Sequence, residues 1–184
     1  MLEDPAVMAV RTLLGYAMVA KKDTSFFALK GVAALLKAIN YEHKLTLTEA
    51  QVSFGDPTVE TEFYDTGVVL TARSTWLYSG SKKLVYNRFT LADAFEGKSL
   101  LKPDGAFTTT HDWLPKINEV FGLQLEPRDI VLASVPANQP WMILRTAPTS
   151  YLYRPGSLVT LGDPANDLDN LITTTDLNGF TPET

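Results

Sequence analysis

Leu36, Ile39, Asn40, Leu45 and Leu47 return as Leu114, Ile117, Asn118, Leu123 and Leu125, each 78 positions later. An apolar helical stripe closed by Ile-Asn and followed by a Leu-x-Leu strand is a specific order of types. Written twice, it limits the chain to folds that can be assembled from two small units. A second block extends the correspondence, VVLTARSTWLYSGSKKLVY (68–86) against MILRTAPTSYLYRPGSLVTL (142–161). There Thr71-Ala72 lies over Thr146-Ala147, Leu77-Tyr78 over Leu152-Tyr153, and Gly80-Ser81 over Gly156-Ser157. The shared order predicts an α+β chain of two tandem repeats, each an apolar helix followed by a small antiparallel sheet with a Gly-Ser hairpin.

With 184 residues, each unit of roughly 80 residues could hold only a modest core, so the two are expected to pack together. The predicted boundaries are an N-terminal helix over 1–24, a first repeat over 25–100, a second over 101–162 and an acidic C-terminal tail over 163–184. Cysteine is absent, which removes disulfides, thiolate metal sites and cysteine nucleophiles together. Residues 1–100 carry 11 basic and 11 acidic side chains and residues 101–184 carry 5 and 10, so the net charge of −5 sits in the second half. No residue after Arg154 is basic. Nucleic-acid binding needs clustered Lys and Arg to displace counterions, and is not expected here. The opening Met1-Leu2-Glu3-Asp4-Pro5 is not a secretory signal, and Lys30 and Lys37 cut the apolar run far short of the roughly 20 residues of a membrane span.

Val7, Val10, Leu14 and Ala17 predict the first helix, Asp4–Val19, capped by Asp4. Leu29, Val32, Leu36 and Ile39 predict a second over 26–41, capped by Thr24 or Ser25. Strands are expected around Leu45–Leu47, Val52, 59–63, 68–72, 76–78 and 83–89, with a short helical turn over 91–95. Leu91 and Phe95 are expected to dock on the first unit, and Leu168, Leu171 and Ile172 on the second. A further helix begins near Thr110 as cap, tolerates Pro115 only in its first turn and stops at Gly122.

Chemistry-bearing residues are few. His43 reads as a helix-end residue and His111 as a helix-start residue, and they fall at unmatched places in the repeat. Asp163, Asp167, Asp169 and Asp176 lack the spacing and glycine of a calcium loop and read as a solvated segment. The Ser-Gly-Ser and Pro-Gly-Ser groupings read as turns, and no nucleophile elbow, Walker loop or dinucleotide fingerprint is present. No catalytic, cofactor-binding or metal-ligating residue is assigned, and no enzyme is expected. Trp76, Tyr78, Tyr86, Tyr151 and Tyr153 could form a sugar-stacking platform, with cross-strand packing the more ordinary reading of rings in strands.

The run WLPKINEVFGLQLEPRDIV, the hairpin TWLYSGSKKLVYNRFTLADAF and the terminal TTTDLNGF resemble segments of virion structural proteins of tailed bacteriophages, especially large contractile-tailed ones. The resembling words are a helix ending in Ile-Asn, a Gly-Leu-x-Leu strand, a Gly-Ser hairpin, and a Tyr-Asn-Arg strand followed by a Leu-rich turn. They cover most of residues 30–180. The second hairpin departs from them, being interrupted by Arg154-Pro155 and lacking Tyr-Asn-Arg, and Asp4–Val19 lies outside them. The resemblance implies a non-enzymatic part of the particle in tail, neck, baseplate or capsid exterior, assembled in the host cytoplasm. Its partners would be copies of itself and other virion proteins, with neither nucleic acid nor membrane. A carbohydrate- or receptor-binding module using the aromatic hairpins is the alternative.

Overall fold

Backbone hydrogen bonding organises the chain into two antiparallel sheets, seen in a computed structural model that describes residues 24–60, 64–73, 78–136 and 139–162. The expected helix Asp4–Val19, Trp76 and the segment 163–184 lie outside the described residues. A 3-10 turn, Thr24–Phe26, precedes α1 (Gly31–His43), and strands β1 (Val52–Phe54), β2 (Thr58–Val59), β3 (Thr66–Ala72) and β4 (Ser81–Tyr86) follow. Next come α2 (Leu91–Ala94), α3 (Thr110–Phe121), β5 (Met142–Arg145) and β6 (Leu158–Leu161). The chain is thus mixed helix and sheet with small antiparallel sheets.

The helix expected over 26–41 starts later. Lys30 precedes it with an extended backbone and no side-chain cap, because Phe26 and Phe27 turn away to enter the core at 2% and 3% exposure. Leu29 and Val32, predicted for the buried stripe, are only partly covered; Ala34, Leu35, Ala38 and Ile39 carry the buried face. In α3, Thr109 and not Thr110 is the cap, accepting from the Asp112 amide. Thr110 is buried and donates to the Val131 carbonyl at 2.8 Å. Pro115 lies beyond the first turn, where a missing N–H and a ring clash cost about 3 kcal/mol. Burial of Trp113, Leu114, Ile117 and Phe121 on the same helix offsets that.

The segments expected as strands at Leu45–Leu47 and Leu123–Leu125 join no ladder among the described residues. Asn40 Nδ2 donates to the Leu47 carbonyl at 2.8 Å and its Oδ1 accepts from the Leu47 amide at 2.7 Å. Asn118 does the same to Leu125 at 2.9 and 2.8 Å. Each side chain thus satisfies both polar groups of one residue, a substitute for a ladder partner. Both helices end in a left-handed residue, Lys44 (φ 53) and Gly122 (φ 63).

β3 pairs with β4 on one side and with β1 and β2 on the other. β5 pairs with β6, and the Val131 amide donates to the Arg145 carbonyl at its other edge. Val52 faces Ala72, and Ile130 forms a bridge with Thr146. One continuous cluster of buried side chains runs through both halves, from Phe27 and Leu35 to Leu123, Leu144 and Tyr153. α2 packs across this cluster on the second half, not the first. The Leu91 amide donates to Ser157 Oγ at 2.7 Å, and Phe95 meets Phe121 edge-on at 4.9 Å.

Candidate functional site: a buried polar clasp and an exposed apolar face

The polar residues at the centre of the molecule lie where the two halves meet. Tyr86, Asn87 and Arg88 leave β4 together. Tyr86 Oη donates to the Tyr151 carbonyl at 2.8 Å, and Asn87 Oδ1 accepts from the Asp65 amide at 2.9 Å. Arg88, 2% exposed, donates through Nη1 to the Ser150 and Pro148 carbonyls at 2.7 and 3.2 Å. Asp65 accepts from the Arg88 amide and holds Arg154 Nε at 3.1 Å. Consecutive β-strand residues point to opposite faces, so a strand end that must reach inward, sideways and across in three steps uses three different polar side chains. No Tyr-Asn-Arg follows the second hairpin, and these contacts account for the asymmetry: Tyr86 and Arg88 grip backbone carbonyls of the second half, while Asn87 holds Asp65 in the first.

Burial sets the electrostatics. Desolvation pushes the Tyr86 and Tyr153 phenols well above their usual range and pulls the Arg88 guanidinium down, opposed by Tyr86 and Asp65. Asp129 is buried and raised from its ordinary 3.8 by the same cause, partly countered by Ser150 Oγ donating at 2.7 Å and the Glu126 amide at 2.9 Å. Tyr86, Asp129 and Arg88 Nη1 are held by backbone or a neighbouring side chain, the Tyr153 ring stacks on Phe27, and among the described residues Arg88 Nε is buried without a hydrogen-bond partner. His111 Nε2 lies 2.8 Å from the Ile130 carbonyl in the first turn of α3, and His43 is half-exposed in the last turn of α1. Among the described residues no three His, Cys, Asp or Glu side chains converge as a metal would need, and no helix is long and apolar enough to cross a membrane. Asp163, Asp167, Asp169 and Asp176 lie outside those residues.

Three of the rings considered for sugar stacking are spent on packing. Tyr86, Tyr151 and Tyr153 are 1–3% exposed, and Tyr78 is half-buried against the core. Tyr151 packs on Gly31, carries the Arg128 guanidinium 3.8 Å from its centroid, and donates to the Gly55 carbonyl at 3.1 Å. A stacking platform needs open ring faces, and Tyr86, Tyr151 and Tyr153 have none. Gly80 and Gly156 stand in turns at φ 87 and 74, as the sequence indicates.

The surface instead offers aliphatic side chains. On the outer face of β5–β6, Ile143 and Leu158 lie diagonally across the pair at 45% and 49% exposure. Leu158 also lines a groove of about 590 Å³ with Phe95, Lys98 and Leu100 between α2 and β6. Val131 and Leu132, at 37% and 62% exposure, lie in the segment whose Val131 amide bonds the Arg145 carbonyl of β5. The sequence reading missed this face, although the alternation through MILR, with Ile and Arg both outward, carries its signal.

A profile of a family of unknown function (DUF7941) matches residues 26–183. No curated protein and no solved structure matches the chain.

Proposed function

The chain belongs to DUF7941, a family of unknown function, and from that premise we propose that it is a non-enzymatic structural component of a tailed-bacteriophage particle, present in multiple copies. The observation that carries this reading is the pair of aliphatic side chains on the outer face of β5–β6, Ile143 and Leu158, with Leu100 beside Leu158 in the adjoining groove. Exposed apolar side chains that adjoin one another mark contact surfaces, and a symmetric assembly reuses one such face many times. The hydrogen bonds that hold Tyr86, Asp129 and Arg88 Nη1 inside the fold support the same direction. The resemblance to virion proteins supplies the particle, in tail, neck, baseplate or capsid exterior.

We further read the two halves as copies of one helix-plus-sheet module. The matched Asn clamps support this, as do the left-handed stops at Lys44 and Gly122, 78 positions apart, and the pairing of Val52 with Ala72 and of Ile130 with Thr146. By that pairing Ala72 matches Thr146, one position off the alignment that placed Thr71-Ala72 over Thr146-Ala147.

Charge placed on the face tests the assembly reading. Ile143→Asp with Leu158→Asp should leave the monomer folded and abolish incorporation into particles, scored by their protein content; unchanged incorporation would refute it. Removal of residues 173–184, which carry the lone aromatic Phe180, is expected to weaken incorporation in the same assay.

A further inference from the structure

α2 lies on a bed made by the other half of the chain. Besides the Leu91–Ser157 hydrogen bond and the Phe95–Phe121 contact, Lys98 Nζ donates to the Phe121 carbonyl at 2.5 Å. Strand register locates the matching bed on the first half. Leu84 faces Val68 while Leu161 faces Met142, and Lys82 faces Leu70 while Val159 faces Leu144. With Ala72 matched to Thr146, β4 therefore maps onto β6 at 77 positions, close to the 78 that relate α1 to α3. The matching bed is built from His43, Leu45, Gly80 and Lys82.

That place is open. A groove of about 350 Å³ lies there, lined by Leu45, Leu47, Val52, Leu70, Tyr78 and Lys82. Leu45 is 39% exposed, whereas Leu123, at the matching position beside α2, is 0% exposed.

We propose that the groove is the docking site for Asp167–Ile172 of the same chain. Counting 77 positions on from α2, Thr90 maps to Asp167, Leu91 to Leu168, Ala94 to Leu171 and Phe95 to Ile172. Thr90 caps α2 by accepting from the Asp93 amide, and Asp is an equally good cap. Leu168, Leu171 and Ile172 stand at the i, i+3, i+4 spacing that puts three side chains on one helical face. Five steps separate the end of β4, Tyr86, from Leu91, and seven separate the end of β6, Leu161, from Leu168, so the two links are of similar length. Segment 163–184 carries Asp163, Asp167, Asp169, Asp176 and Glu183 and no Lys or Arg, and Lys82 stands at the groove's rim. The inference rests on the duplicated-module reading and is independent of any role in a particle.

Because the chain has no cysteine, introduced thiols report alone. His43→Cys with Ile172→Cys reproduces the Phe121–Phe95 contact on the other half. Treated in the full-length protein with a short bismaleimide at low concentration, the pair should cross-link within one chain. A bismaleimide is preferred to a disulfide because ring-sized side chains in contact hold their backbones too far apart for an S–S bond. A folded protein that does not cross-link, or that cross-links into dimers by exchange between copies, overturns the proposal. A second measurement avoids His43: maleimide alkylation of Leu45→Cys should be about tenfold faster when Leu168→Asp and Leu171→Asp are added, as a local contact is lost. Equal rates overturn it. A negative result leaves the module reading standing, since the matched Asn clamps test that separately.

Discussion

Asn40 and Asn118 do the same work in different halves. Each accepts and donates within 3 Å to one residue seven positions on. Truncation to alanine strands a partly buried amide and carbonyl, which costs about 1–3 kcal/mol. Asn40→Ala and Asn118→Ala should each lower the urea midpoint by a comparable amount at unchanged slope; a large disparity would argue against the matched-module reading. Asp129 gives the molecule a pH dependence of definite sign. Its folded pKa is raised by burial above its ordinary 3.8, so the native state holds the proton more tightly than the unfolded chain. The stability it contributes is full below 3.8 and is lost as pH rises through the raised folded value. Asp129→Asn should flatten urea stability across that window, measured from pH 3 upward. The Ile-Asn word was visible in the sequence, but its meaning was not, because a side chain that replaces a ladder partner looks like any polar residue ending a helix.

The two long helices stop in the same way with unequal comfort. Gly122 adopts a left-handed backbone freely, and Lys44 adopts it at φ 53 with a Cβ in the way. Lys44→Gly should therefore raise stability by about 1 kcal/mol, read as a higher midpoint in thermal or urea unfolding. No change would mean that greater freedom in the unfolded chain cancels the relief. The helix stop at Gly122 was legible because glycine announces it, and the stop at Lys44 was not. Helix starts were misread for a similar reason. Thr24 and Ser25 are good caps by type, but the chain uses the residues after them to bury Phe26 and Phe27, and apolar burial of two rings outweighs one capping hydrogen bond. Pro115 shows the same ordering of magnitudes, a helix kept in spite of its proline by the core face of Trp113, Leu114 and Ile117.

At the scale of the molecule, the buried cluster passes through both halves without a break, and Arg88 ties the end of β4 to the Ser150 and Pro148 carbonyls. Unfolding should be a single cooperative transition, with coincident midpoints by far-UV and near-UV circular dichroism. Two separated transitions would mean that the halves fold alone. Arg88→Met leaves the Ser150 and Pro148 carbonyls unbonded, while Asp65 keeps Arg154 and the residue-88 amide, and is expected to cost about 1–3 kcal/mol in the same experiment. Exposed aliphatic side chains beside such a core, as at Ile143 and Leu158, are of the kind that contact surfaces use.

Local facts were written in the sequence: mixed helix and strand, the helix ending at Gly122, the hairpin glycines, the absence of cysteine and the acidic balance of the second half. Each depends on backbone preferences or composition, which act within a few residues. Which half α2 rests on, that Tyr86, Tyr151 and Tyr153 are core, and that Arg88 is buried were decided by the tertiary structure. Those outcomes turn on what lies opposite a side chain after folding, and residues 60 or more apart in sequence supply it.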